Sequence, residues 1–480
     1  MQPRTDLAME AKALYERSAQ EQTKLSGVIA REQERHGVRM TVVKITSAEG
    51  EQALGKPRGT YITAELEALT RREPGSFSNA ARTVGRALRE LLGPCRQALV
   101  VGLGNRDITP ERYFTSSPKA LRRLLSAVDE AAPLAWFESL GLYPRTDEAG
   151  RVYPYSNQAA DVLALLEGHL ARLGVEVRTG CTVQTLSQSR GGYAVQIETE
   201  AGRETLRTDA VICAMGGDAG PQFGTDGFGT RFAAQCGGRV EPLYPCLTAL
   251  QTAKPNRSLA GIRAKGCASL LDGADGRVLA RETGEVQFTE YGLSGICIMQ
   301  LSGHLAPGRG PKRPAVELDL FPMLDETALT ALFAARVPLL PGKAPADFWT
   351  GLLNPKLGRA LWAAAKLPEK PVDTLPDAAW QVLANAAKHW LFEGLTPCGW
   401  KQAQTTGGGL SLTEVTPSFQ FKGCPGLYFV GETLDCAGMC GGFNLHWAFG
   451  SGITAGRDAV RSLSAARHPA HKKRGQRNSG

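Results

Sequence analysis

The sequence predicts an α/β fold with functional loops at the carboxyl ends of strands, and three observations predict it. In "GRVYPYSNQAADVLALLEGHLARLGVEVRTG" (150–180), Val162, Leu166, Leu170 and Leu173 share one helix face ahead of a strand, Val175 to Arg178. That order is an α-then-β crossover unit. Val211-Ile212-Cys213-Ala214 reads as a buried strand ended by Met215-Gly216-Gly217, where two residues without side chains let a ligand lie on the backbone. Leu427 to Val430 reads as a second such strand, ended by Gly431-Glu432. Asp435 follows in a loop, and Gly441-Gly442-Phe443-Asn444 opens a helix through Gly456. A helix start offers unpaired N–H groups and a positive dipole end to a phosphate or an anionic ring edge.

Taken in order, residues 1–110 form an N-terminal α/β fragment. It has a helix in "DLAMEAKALYERSAQEQ" with Leu7, Ala11 and Leu14 at helical spacing, strand-like "VRMTVVKIT", the turn "GKPRGTYITAEL" and a polar helix from Asn79 to Leu92. Gln97 to Val101 is then an apolar strand running into Gly102-Leu103-Gly104. A dinucleotide fingerprint needs a third glycine, a helix start directly after it, and an acidic residue about 20 positions on. Here the third position is Asp107, Thr109-Pro110 intervenes, and 118–137 reads as one helix. The stretch reads as a buried strand ending in a glycine turn.

Residues 111–245 hold the crossover unit, a hairpin-like stretch and the first glycine pair. Residues 246–400 lose the α/β alternation: short strands and turns lead to helices such as "DAAWQVLANAAKHWLF". Residues 401–465 return to strand, glycine loop and helix. The first and last of these three segments are expected to form one domain with the middle segment inserted in it.

The composition, 42% hydrophobic and 21% charged, is that of an ordinary globular protein. The first residues carry charge where a signal peptide carries its apolar stretch, and no apolar run is long enough to span a bilayer, so a cytoplasmic, membrane-free protein is expected. The 11 cysteines form no CxxC pair and no metal-ligand cluster, which points to free thiols. Cys436 and Cys440 are read the same way. Of the net charge of +8, five positive charges (Arg467, Lys472, Lys473, Arg474, Arg477) lie in 466–480, read as a solvated, disordered tail rather than a nucleic-acid contact.

Beyond these patterns, "AVICAMGG", "GEVQFTEYGLSG" and "TGGGLSLTEVTPSFQFKGCPGLYFVGETLDCAGMCGGFNLHWAFGSGITAG" resemble the BaiN/RdsA and aminoacetone-oxidase-like family of FAD-dependent oxidoreductases, from about Arg112 to Ala465. The resemblance implies a Rossmann-like fold of the two-dinucleotide-binding flavoprotein type, with a β-plus-helical substrate domain inserted. It implies that Gly431, Glu432, Asp435, Gly441, Gly442 and Asn444 line the flavin and ribityl chain, that Gly216 and Gly217 lie near the FAD phosphates or adenosine, and that Val183 sits near the adenine. It implies a small-molecule substrate and NAD(P)H as the candidate electron donor; no catalytic side chain is assigned. The family's opening strand, GxGxxG loop, acidic strand end and Gly-Arg-Cys-Asn segment are missing. The domain is therefore expected to be incomplete, to bind FAD weakly, and to carry an exposed sheet edge.

In their place, "RTDLAMEA", "GKPRGTYITAEL" and "ALVVGLGNRDITP" resemble the start of the germination protease family, over about residues 3–110. In that family an aspartate proposed to be catalytic follows the Thr-Pro step, where this chain has Glu111. Three readings stand side by side: an FAD-dependent oxidoreductase, a fragment of a spore endopeptidase, and an inactive fusion of the two.

Overall fold

The computed structural model describes residues 27–35, 38–49, 59–65, 104–105, 108–128, 131–189 and 191–467. The helices expected in 7–23 and 79–92, the strand Gln97–Val101 and most of the basic tail lie outside them. The chain divides into two compact units, Met1–Leu99 and Val100–Gly480.

The first unit holds a three-stranded antiparallel sheet in the order β1 (Val28–Arg35), β2 (Val38–Ile45) and β3 (Gly59–Glu65). Thr41, Val43 and Ile45 alternate on the buried face of β2, as a half-covered strand requires. β3 corrects the turn read at 55–66. Thr60, Tyr61, Ile62 and Thr63 are strand formers by shape, and they pair in register with Lys44, Val43, Val42 and Thr41.

The second unit opens with β4 (Gly104–Asn105) and β5 (Tyr113–Phe114), then α1 (Pro118–Ala127) and α2 (Ala132–Ser139). The single helix expected over 118–137 is therefore two, and Pro133 lies in the first turn of the second, where its missing N–H costs nothing. β6 (Pro144–Thr146) and β7 (Arg151–Pro154) form a sheet with β4, and α3 (Ala159–Arg172) follows. The strand expected at Val175–Arg178 does not form. Val175 and Val177 are 48% and 65% exposed, and along α3 only Val162 is fully buried while Leu173 faces solvent.

A three-stranded meander, β8 (Thr182–Ser189), β9 (Gly192–Thr199) and β10 (Gly202–Thr208), leads to β11 (Val211–Cys213) and α4 (Phe228–Gln235). β12 (Val240–Cys246) and the short β13 (Leu250–Gln251) come next. The segment that follows is built on β14 (Arg263–Asp272), β15 (Arg277–Phe288), β16 (Gly292–Ser294), α5 (Ile296–Ser302), β17 (Pro314–Asp319), α6 (Glu326–Arg336), α7 (Pro355–Ala364), α8 (Ala378–Lys388), β18 (Trp390–Glu393) and β19 (Thr396–Pro397). Its strands form one antiparallel sheet in the order β18-β17-β14-β15-β16-β13-β19. Its own core joins Phe288, Val316, Phe333, Phe348, Trp349, Trp362 and Trp380.

The chain then returns through β20 (Thr405–Leu410), β21 (Leu427–Phe429), β22 (Ala437–Gly438) and α9 (Phe443–Arg467). β11 and β21 pair in parallel, Val211 with Leu427 and Cys213 with Phe429. A second core, with Leu121, Leu124, Cys213, Phe232, Phe429, Trp447 and Ala455, ties α1, α4, β11, β21 and α9 together. β11 was expected to be buried throughout, yet Ile212 is 41% exposed. Only β21 pairs with β11 among the described residues.

Candidate functional site

Gly441 and Gly442 precede α9 with φ of 128° and 94°, a region L side chains avoid, so the backbone there demands glycine. The carbonyl of Gly441 accepts a 2.8 Å hydrogen bond from Asn105 Nδ2, which fastens the turn to β4. Asn444 closes the loop from inside. Its Oδ1 accepts from Gly438 N at 2.7 Å, and its Nδ2 donates to Gly438 O at 2.8 Å.

Gly431, also with positive φ at 63°, is bound to α9 through its N–H to Ser451 Oγ (3.0 Å) and its carbonyl to Trp447 Nε1 (3.0 Å). Glu432 turns toward β20, where its Oε1 accepts from Thr406 N at 2.9 Å. Thr406 Oγ1 in turn accepts from the backbone N–H groups of Asp218 (2.8 Å) and Ala219 (3.0 Å), and Thr433 Oγ1 donates to Gly216 O at 3.2 Å. The turn after β11 is thus bonded to β20 through Asp218 and Ala219, and to the segment after β21 through Gly216. Gly217 is packed so closely that a methyl group there would overlap Thr406 Oγ1 and lie 2.9 Å from Glu432 Oε1. At Gly216, with φ 73°, an added Cβ would meet nothing within 4 Å.

Asp435 is fully buried and its two oxygens differ. Oδ2 accepts from Ser116 N (2.8 Å), Ser116 Oγ (2.5 Å) and Thr115 Oγ1 (3.2 Å), whereas Oδ1 has no partner. Burial pushes the Asp435 and Glu432 carboxyls above the usual range despite these bonds. One helical turn into α9, His446 is 1% exposed with neither ring nitrogen bonded, and burial pushes it down to about 4.

Of the residues singled out in the sequence, Gly216, Gly217 and Glu432 meet at Thr406 and Thr433, while Gly431 is held by α9. Asn444 reaches the same strand through Thr405 Oγ1, 3.5 Å away. Asp435, Gly441 and Gly442 flank β22, which pairs with β5. Val183 stands apart, half-buried on β8 opposite Ile197. The sequence reading missed Asn105, Thr115, Ser116, Thr406 and His446. Thr406 stands directly before the Gly407-Gly408-Gly409 run, a usable signal, while Asn105 is 336 residues from its partner and carries none. The described cysteines, Cys436 and Cys440 among them, are all free.

Parallel strands that end in glycine turns, as β11 and β21 do, fit a Rossmann-type α/β domain. The HI0933-like protein Rossmann domain family matches residues 97–458, and the chain belongs to that family of FAD-dependent oxidoreductases. The 3-dehydro-bile acid delta(4,6)-reductase of Clostridium scindens is 34% identical over 374 residues, 76% of this chain and 90% of that protein. The ribosomal RNA dihydrouridine synthase of Escherichia coli is 24% identical over 383 residues, 78% of this chain and 91% of that protein. Among solved structures, the OxyS anhydrotetracycline hydroxylase from Streptomyces rimosus matches at 14% identity with a TM-score of 0.26, over 78% of this chain and 59% of that one, a likeness too low to add anything.

The germination protease family matches residues 6–126. The protease of Caldanaerobacter subterraneus subsp. tengcongensis is 40% identical over 141 residues, 28% of this chain, so the chain spans 41% of that protease. The two family matches overlap over 97–126 rather than meeting at 110–112, and the Val101-to-Asn105 turn falls inside both. Among the described residues no helix is long and apolar enough to cross a membrane.

Proposed function

We propose that this chain is a cytosolic reductase that holds FAD, takes electrons from NAD(P)H and saturates a carbon–carbon double bond conjugated to a carbonyl in a small molecule. The substrate class rests on what two relatives share. A 3-dehydro bile acid with Δ4 and Δ6 double bonds and a uridine ring both present a C=C bond conjugated to C=O, although the second relative acts on RNA. FAD, when bound, supplies two-electron transfer to such a bond.

The observation that carries the reading is the fully buried Asp435 with Oδ1 lacking a partner, beside the turn that starts α9. An orphaned buried acceptor costs about 1–3 kcal/mol, a cost a sugar hydroxyl at that oxygen would remove. In this reading Asp435 and Glu432 take ribityl and ribose hydroxyls, Gly441 and Gly442 let the flavin edge approach the first-turn N–H groups of α9, and Asn444 keeps that turn in shape. Gly216 and Gly217 border the phosphates, and Val183 flanks the adenine. The chain offers no GxGxxG turn, because Asp107 stands at the third glycine position. The proposed binding is therefore weak.

The test is to dialyse purified protein to equilibrium against excess FAD and record the flavin absorption band in excess over the dialysate, before and after anaerobic addition of NADPH or NADH. Asp435→Asn should retain FAD and Gly442→Val should lose it. A wild-type protein that shows no flavin band even in excess FAD contradicts the reading.

A further inference from the structure

Residues 112–116 run as a short strap along the loop that leads into α9. The carbonyl of Arg112 accepts from Met439 N at 2.8 Å, Tyr113 and Phe114 on β5 pair with Gly438 and Ala437 on β22, and Ser116 N reaches Asp435 Oδ2 at 2.8 Å. The strap is fastened at both ends. Tyr113 Oη donates to the carbonyl of Phe443, the first residue of α9, at 3.3 Å, and α1 begins at Pro118 with Leu121 and Leu124 buried in the same core as Phe443. Asp435 is held from the other side too, because its backbone N–H donates to Leu410 O on β20 at 2.9 Å. All three donors from the strap, Ser116 N, Ser116 Oγ and Thr115 Oγ1, go to Oδ2, and Oδ1 has none. The side chain is thus fixed at its backbone and at one oxygen. It cannot turn to find a partner for the other oxygen without giving up these bonds, so that partner is left to a ligand.

We propose that Ser116, helped by Thr115, is a positioning residue that aims Asp435 Oδ1 at a ribityl hydroxyl of a bound flavin, and so makes the site selective for flavins that carry that chain. The inference rests on the flavin-site reading above. Ser116 acts through Asp435: its two bonds set which oxygen is occupied and which is open. A hydroxyl that donates to the open carboxylate oxygen makes a charge-assisted bond, the stronger kind. Burial raises the Asp435 carboxyl, and the hydrogen bonds from Ser116 and Thr115 pull it back toward the charged acceptor form. The other titratable groups coupled to this carboxyl are Arg309, whose charge also lowers it, Tyr244 on β12, and Cys436 next in the chain.

The test titrates the full chain, as wild type, Ser116→Ala and Ser116→Thr, with riboflavin and with lumiflavin, which has the same ring system but a methyl group in place of the ribityl chain. Wild type should bind riboflavin about tenfold more tightly than lumiflavin or better, the share of one charge-assisted hydrogen bond. Ser116→Ala should bring the ratio of the two dissociation constants close to one, and Ser116→Thr, which keeps the hydroxyl, should restore it. A general loosening of the site would weaken both flavins and leave the ratio in place. A second readout needs no flavin. In protein with isotope-labelled aspartate carboxyls, the Asp435 resonance, assigned by its absence in Asp435→Asn, should titrate at higher pH in Ser116→Ala because a hydrogen bond to the charged form is gone. An unchanged ratio in Ser116→Ala, an unchanged Asp435 titration, or a wild type that binds the two flavins equally overturns the proposal. A wild type that binds neither flavin overturns the flavin-site reading instead, and the titration still decides whether Ser116 sets the state of Asp435.

Discussion

His446 and Asp435 are the two residues whose buried polar atoms lack partners at the start of α9, and they respond to pH in opposite directions. His446 titrates near 4 in the fold against its usual 6.5. A depressed folded value means that its share of stability is present above about pH 6.5 and is lost as pH falls toward 4, roughly 3 kcal/mol in all. Asp435 and Glu432 have raised folded values, so their share is present at low pH and is lost as pH rises through those values. His446→Leu removes the two unpaired nitrogens. Urea melts should show it near wild type at pH 7.5 and more stable than wild type at pH 5. A wild-type advantage at pH 5 would mean that the ring has a partner. At Gly217, an added methyl meets Thr406 and Glu432 at once. Gly217→Ala should therefore lose about 1–3 kcal/mol by overpacking, read as a fall in Tm.

Among the elements, α9 has the clearest dependence on a single bond. Ser451 Oγ accepts from Gly431 N and donates to Trp447 O at 2.6 Å, so Ser451→Ala strands a buried N–H and should cost about 1–3 kcal/mol. A loss below 0.5 kcal/mol would show that the N–H finds another acceptor. The start of α9 was legible because Gly441-Gly442 and Asn444 announce it locally, and the helix simply continues past Gly456 to Arg467. Val175–Arg178 was misread for the opposite reason. Alternating valines record a propensity, but a strand exists only where a neighbour accepts its ladder, and no described strand pairs with 175–178. β11 keeps an exposed Ile212 on a parallel pair, and such edges recruit other strands. Ile212→Lys should shift sedimentation toward monomer without lowering Tm; unchanged association would place the contact elsewhere.

At the scale of the molecule, the chain joins a germination-protease-like N-terminal region to a family domain that keeps the glycine loops of β11 and β21 but encodes no GxGxxG turn. The proposed site thus holds the ring and sugar end of FAD and lacks the helix start that would meet the pyrophosphate. Charge-assisted hydrogen bonds contribute about 1.5–3 kcal/mol each, so two or three missing ones remove roughly 3–9 kcal/mol. At about 1.4 kcal/mol per tenfold, that is at least a hundredfold in affinity. Titrating the protein with FAD and, separately, with FMN while following flavin fluorescence tests this most directly. The account predicts dissociation constants in the micromolar range or weaker, with FAD and FMN within about tenfold of each other because the adenosine pyrophosphate adds less than about 1.4 kcal/mol. A nanomolar FAD constant, far below that of FMN, would contradict it, since it would require an intact pyrophosphate anchor in this chain.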